Sequence, residues 1–269
     1  MANRIDERLE ALGSERRKGL MTHVVVGFPS LASTSALILA MDEAGADFVE
    51  LQIPFSDPLA DGPTIQSACE AALERGTRVR DAFTVAADSA ARVRAPLIFM
   101  AYANTVYRYG VESFCKDAAE VGISGLIVPD LPVEAARHEG YLDACRRHGL
   151  HNVVTLAPTS TDERLAKNAA IAGGFVYCMS RQGVTGSQLG LAPDIQAYLR
   201  RARKHLTVPM AVGFGISDRT RLEQVLPYCD IATVGSALID RLADLEPGDV
   251  ARQVDVAGAF LRNLSPALG

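Results

Sequence analysis

At 269 residues and 48% hydrophobic content the chain is long enough to bury one large core, a size at which α/β barrels form a single domain. A net charge of −5, with its 27 Lys and Arg scattered, leaves no basic footprint for nucleic acid, so an anionic ligand has to be held locally. Five cysteines with no C-x-x-C pair point to free thiols in a reducing cytoplasm, and no apolar run reaches signal-peptide or membrane-span length.

The N-terminal stretch MANRIDERLEALGSERRKG is charged throughout and predicts a short surface helix. Eight β-branched or apolar runs follow: LMTHVVVGFPS, FVELQIPFSD, PLIFMAYAN, GLIVPD, NVVTLAP, GFVYCMS, VPMAVGFGIS and IATVGSA, starting near residues 20, 48, 96, 125, 152, 174, 208 and 231. Alanine-rich helical stretches separate them, among them SALILAMDEAGA, VESFCKDAAEVG, VEAARHEGYLDACRRHG and DERLAKNAAIAG. Strict alternation of strand and helix implies parallel strands, and eight such units predict a closed (β/α)8 TIM barrel. Residues 54–76, the first long βα loop, are expected to carry an extra helix from about Pro63. No linker or composition shift divides the chain, so residues 1–269 read as one barrel domain.

A barrel of this kind carries its chemistry at the C-terminal ends of its strands. In FVELQI the side chains alternate, putting Phe48, Glu50 and Gln52 on one face and Val49, Leu51 and Ile53 on the other. The aliphatic set is expected to face the helices, which turns Glu50 and Gln52 into the barrel mouth. There Glu50 is either a buried ion-pair partner or an acid/base group with a raised pKa. Asp61, eleven residues on, is a second carboxylate for the same rim, whereas Asp57 in S-D-P also reads as a turn or helix-cap element.

The four lysines, 18, 116, 167 and 204, fall in helices or before the first strand, which argues against a Schiff-base aldolase. Of the five histidines only His23 lies within a strand, as a core or pocket residue, and no metal cluster is indicated. Carboxylate acid/base catalysis with no metal or organic cofactor remains. Glycine-containing turns after strands 6, 7 and 8, in SRQGVTGSQ, GFGIS and GSA, suit a phosphate bound by backbone N–H groups.

The stretch PFSDPLADGPTIQ, followed in order by MAYAN, VPDLPVEAA, SRQGVTG, GFGIS and GSA, resembles the tryptophan synthase alpha subunit family over nearly the whole chain. The resemblance implies a metal-free lyase that cleaves indole-3-glycerol phosphate to indole and glyceraldehyde 3-phosphate, partnered by a pyridoxal-phosphate beta subunit in an α2β2 tetramer. It implies that Glu50 is the general acid/base, that Asp61 binds the indole N–H, and that Tyr177 lies near the glycerol chain. Tyr102, Thr185 and Phe214 match substrate-pocket residues, and Gly186, Gly215, Gly235 and Ser236 match the phosphate-binding backbone. Three positions depart from the family pattern: Gln52 replaces a usual Gly, His23 a usual aromatic, and Phe28 a usual Asp on a rim that faces a partner. Gln52 is expected to narrow the mouth or to hydrogen-bond Asp61 or Asp57. Alternatives are a stand-alone lyase releasing free indole and a non-catalytic modulator of a beta subunit.

Overall fold

The computed structural model describes residues 3–179, 193–213 and 215–268. Eight parallel strands close into a barrel in sequence order: β1 Gly19–Val25, β2 Phe48–Gln52, β3 Leu97–Met100, β4 Ile123–Ile127, β5 His151–Leu156, β6 Val176–Met179, β7 Met210–Gly213 and β8 Ile231–Val234. β1 closes the ring by pairing with both β2 and β8. Each short run of branched and apolar residues supplies one strand, and each intervening helix returns the chain to the same end of the barrel.

The alternation read in FVELQI holds. Val49, Leu51 and Ile53 pack into the layer between strands and helices with Phe99, Leu126 and Val234. Phe48 points inward with Met21, Ile98, Ile127, Phe175, Ala211 and Ile231, a separate core that fills the barrel. Strand periodicity of two therefore divides one hydrophobic sequence between two cores.

The N-terminal helix, Arg4–Glu15, differs from the surface helix expected of so charged a segment. Its Ile5 and Leu12 are buried and belong to the inner core, so the helix plugs the N-terminal end of the barrel. A Cβ on Gly125 of β4 would lie 2.9 Å from Ile5 Cδ1, which is why that strand carries glycine there. Asn3 caps the helix by accepting from Ile5 N–H, and its amide donates to Ser124 and Gly149 carbonyls, each at 2.8 Å.

Two further expectations are revised. Residues 133–149 form two helices, Val133–His138 and Tyr141–Arg147, because Gly140 adopts φ +76° and breaks the helical path. Phe28, read as a rim position, is 8% exposed and packs in the outer core. The extra helix of the long loop runs Pro63–Glu74, starting at the proline expected to open it.

Asp47 fixes the junction that matters most for the mouth. Its side chain is buried and accepts from Arg8, from both terminal nitrogens of Arg17 at 2.9 and 2.6 Å, and from Leu20 N–H at 2.7 Å. Asp47 N–H in turn donates to Leu20 carbonyl at 2.8 Å, locking β1 to β2 in the register that sets His23 opposite Glu50. Asp47→Ala removes the acceptor that Arg8, Arg17 and the buried Leu20 N–H share, leaving Glu15 as the carboxylate beside both guanidinium groups and the N–H without a partner. We expect a loss of roughly 3–5 kcal/mol in unfolding free energy, measured by urea denaturation.

Candidate active site

Glu50 lies in the middle of β2, 2% exposed, with its carboxylate turned into the barrel mouth. Opposite it on β1, His23 places Nδ1 3.2 Å from Glu50 Oε2, and the imidazole is itself buried. The strand thus accommodates a buried carboxylate by means of a neighbouring imidazole rather than by solvent.

Asp61 reaches the same space from the loop after β2. Two short turns shape that loop, with Leu59 N–H donating to Asp57 carbonyl at 2.9 Å and Asp61 N–H to Pro58 carbonyl at 3.0 Å. Gln66, on the helix that Pro63 starts, donates from Nε2 to Asp61 carbonyl at 2.9 Å. The Asp61 carboxylate accepts from Gln52 Nε2 at 2.7 Å and from Tyr102 Oη at 2.9 Å, both on Oδ2. Tyr102 Oη accepts in turn from Ala60 N–H at 3.0 Å, and its ring stacks on Phe55 with centroids 5.1 Å apart. Gln52 therefore does what its position on the face of Glu50 suggested, and its partner is Asp61 rather than Asp57. Asp57 is exposed and accepts from Ser56 at 2.5 Å, the turn role open to it in the sequence.

One cavity in the mouth brings together His23, Glu50, Asp61, Tyr177, Gly215, Gly235 and Ser236. Met100, Ile127 and Ile65 give it an apolar wall, and Gly213 lies beneath Tyr177 because a Cβ there would come within 2.5 Å of the phenol oxygen. Tyr102, matched to a substrate pocket, is 2% exposed and donates to Asp61. Gly215 adopts φ +58° after β7, and Gly235 precedes the helix Ser236–Ala243, whose N-terminal residues Gly235 and Ser236 line the cavity. Thr185, Gly186 and Phe214 lie outside the described residues. Thr233 and Thr155, two further lining residues, were not singled out in the sequence. Thr233 shares the inward face of β8 with Ile231, a parity that the sequence does contain.

Electrostatics separate the groups. Burial raises the Asp61 pKa above its usual 3.8, opposed by His23 and by the donors Gln52 and Tyr102 and assisted by the Glu50 carboxylate. For His23, burial pushes the imidazolium down, but Glu50, together with Asp61 and Gln52, more than reverses this and holds the pKa above the ordinary 6.5. Tyr177 is held well above its ordinary value by burial and then by the two carboxylates, so it remains a neutral phenol. Cys69, which Gln52 Nε2 approaches to 3.4 Å, is pushed by burial up to about 12 and stays a thiol. Two carboxylates, an imidazole and a phenol around an apolar wall can move a proton and stabilise a cation. The N–H groups on the far side can hold an anion. Among the described residues no group of three or more His, Cys, Asp and Glu is arranged to hold a metal ion.

Comparison with known proteins agrees with this geometry. Residues 9–264 match the family model described as tryptophan synthase alpha chain. The tryptophan synthase alpha chain of Roseiflexus sp. (strain RS-1) is 44% identical over 264 residues, covering 97% of this chain and 99% of that one. That of Chloroflexus aggregans is 43% identical over 266 residues and covers 98% of each. Among solved structures, Mycobacterium tuberculosis tryptophan synthase superposes with a TM-score of 0.89 at 33% identity, covering 100% of this chain and 99% of that chain. The Legionella pneumophila alpha chain gives a TM-score of 0.88 at 32% identity, with 100% and 98% coverage.

The raised pKa of Asp61 has a consequence for stability. A carboxyl raised in the fold contributes stability that is present below its unfolded pKa and is lost as pH rises through its folded value. At neutral pH the fold therefore carries an ionisation cost that an amide at this position does not. Asp61→Asn, whose carbonyl still accepts from Gln52 and Tyr102, is expected to be more stable than the parent at pH 7. The gap should narrow as pH falls towards 3.8 in urea titrations across that range.

Proposed function

The chain belongs to the tryptophan synthase alpha chain family and cleaves indole-3-glycerol phosphate to indole and glyceraldehyde 3-phosphate; we propose that Glu50 and Asp61 carry that cleavage. Glu50 acts as the general acid and base. Its carboxyl gives a proton to C3 of the indole ring, which converts the ring to an indoleninium cation. The carboxylate then takes the proton of the adjacent side-chain hydroxyl. The C–C bond breaks, its electron pair restores the aromatic ring, and the hydroxyl carbon leaves as the aldehyde. The protonated ring is the electron sink, so no lysine is required.

Asp61 accepts the indole N–H and stabilises the positive charge that develops there. It suits the role because Gln52 and Tyr102 hold its carboxylate before substrate arrives, so little reorganisation accompanies charge formation. Tyr177, a neutral phenol, is placed to donate to the glycerol chain, and the apolar wall of Met100 and Ile127 takes the ring. Backbone N–H groups at Gly215, Gly235 and Ser236 receive the phosphate, with Gly186 added by the family resemblance. The observation that carries this reading is the convergence of Glu50 and Asp61 on one cavity from two different elements.

The partner is a tryptophan synthase beta subunit, and we place the chain in an α2β2 assembly in the cytoplasm. An apolar side chain left open on the loop that holds Asp61 supports a partner at this rim, since Leu59 is 79% exposed. Five free thiols accord with a reducing compartment, and among the described residues no helix is long and apolar enough to cross a membrane. We read residues 1–269 as one barrel domain, supported by ring closure between β1 and β8 from opposite ends of the sequence.

Indole release by the purified chain, with and without a beta subunit, tests the reading. Glu50→Gln is expected to lower kcat by at least about 10²-fold with the fold intact, and Asp61→Asn by a similar order. Near-normal turnover by Glu50→Gln removes Glu50 from the mechanism, and an Asp61→Asn effect confined to KM makes Asp61 a binding residue only. Turnover by the isolated chain that the beta subunit does not change favours a stand-alone lyase.

A further inference from the structure

We propose that His23 is a positioning residue for Glu50: its imidazole holds the carboxylate at the cavity and shares with it the proton that Glu50 exchanges with the substrate. The proposal rests on the reading of Glu50 as the acid and base. It begins from the pairing of β1 with β2, which places His23 and Glu50 directly opposite each other on the inward face. Nδ1 stands 3.2 Å from Oε2, and His23 and Glu50 are 6% and 2% exposed. Glu50 Oε2 and His23 Nε2 have no other partner in hydrogen-bond geometry among the described residues. Contacts of this kind often tighten into full hydrogen bonds when substrate excludes water.

The groups around the imidazole support a shared proton. β2 presents Glu50 and Gln52, and the loop beyond it presents Asp61. β6 presents Tyr177, held as a neutral phenol. β8 contributes Thr233, which carries no charge, and then Gly235, where an added Cβ would lie 3.4 Å from His23 Cβ. Gly235 brings the start of the helix Ser236–Ala243 against the ring, and that positive helix end opposes the imidazolium. Burial lowers the imidazole pKa, and Glu50 with Asp61 and Gln52 more than reverses this, so that it lies above the ordinary 6.5.

A protonated His23 beside Glu50 has two consequences for the reaction. It fixes one carboxylate oxygen, leaving the other to face the ring carbon and the hydroxyl. It also makes the pair, rather than the carboxyl alone, the holder of the exchangeable proton. Proton balance is kept within one turnover. One proton leaves the pair through Glu50 for C3, and one returns through Glu50 from the hydroxyl.

The test combines a titration with kinetics on the full chain, assayed with its beta subunit. The His23 imidazole is followed by NMR in the parent and in Glu50→Gln, with His23→Asn assigning the resonance. Loss of the carboxylate is expected to lower the imidazole pKa, and an unchanged pKa overturns the pairing. In the parent, kcat is expected to show a step at the pH where His23 titrates. His23→Phe, which keeps a ring but no donor, should lose the step and about ten- to a hundredfold in kcat, with KM within about twofold. His23→Asn, whose amide can donate near the place of Nδ1, should recover most of kcat and still lack the step. Persistence of the step in both variants overturns the proposal. If His23→Phe fails to fold, the Asn variant and the NMR titration decide. Full activity of Glu50→Gln is a separate failure, that of the acid/base assignment itself.

Discussion

The withdrawal of two carboxylates from solvent in the barrel mouth, Glu50 fully and Asp61 in part, is the constraint around which the rest of the site is arranged. An unpaired buried charge destabilises a protein by several kcal/mol, so each carboxylate needs local support. The support is unequal. Asp61 receives two hydrogen bonds on one oxygen, from Gln52 and Tyr102, and Tyr102 is itself fixed by Ala60 N–H and by stacking on Phe55. Among the described residues Glu50 has only the His23 contact. A carboxylate held by two donors is a fixed acceptor for positive charge, whereas one with a free oxygen can give and take a proton. The division of labour between Glu50 and Asp61 follows from that asymmetry.

The same arrangement explains how a retro-aldol cleavage proceeds without an amine. An enzyme that cleaves by a Schiff base brings the electron sink with it, and needs a lysine at the end of a strand. Here Lys18 donates to Cys229 carbonyl at 2.7 Å, at the N-terminal end of the barrel and remote from the mouth. The indole ring, once protonated at C3, provides the sink. What remains for the protein is to move one proton and to have a negative charge waiting at the ring nitrogen, and both tasks suit carboxylates on a rigid strand and a braced loop.

Particular residues show what could be read from the chain alone. The two-residue period of FVELQI placed Glu50 and Gln52 on the inward face, since burial on both faces leaves no other use for that alternation. Pro63 marked a helix start because its fixed φ and missing N–H suit the first turn. The His23 pairing with Glu50 was not legible, because it depends on the register between two strands, and that register is set by Asp47 with two arginines from the N-terminal segment. Tyr102 illustrates the same limit: its motif put it near the site, but only the loop's path turns its hydroxyl to Asp61. The N-terminal helix looked superficial because its charges outnumber its apolar residues, yet Ile5 and Leu12 share one face and close the barrel floor.

The central claim is that Glu50 moves a proton at C3 of the indole ring while Asp61 holds the charge. Exchange of the indole C3 hydrogen with solvent deuterium tests it most directly, because it isolates protonation from carbon–carbon cleavage and from any partner. The chain incubated with indole in D2O is expected to catalyse that exchange, and Glu50→Gln to abolish it. Exchange that proceeds in Glu50→Gln at the parent rate contradicts the account.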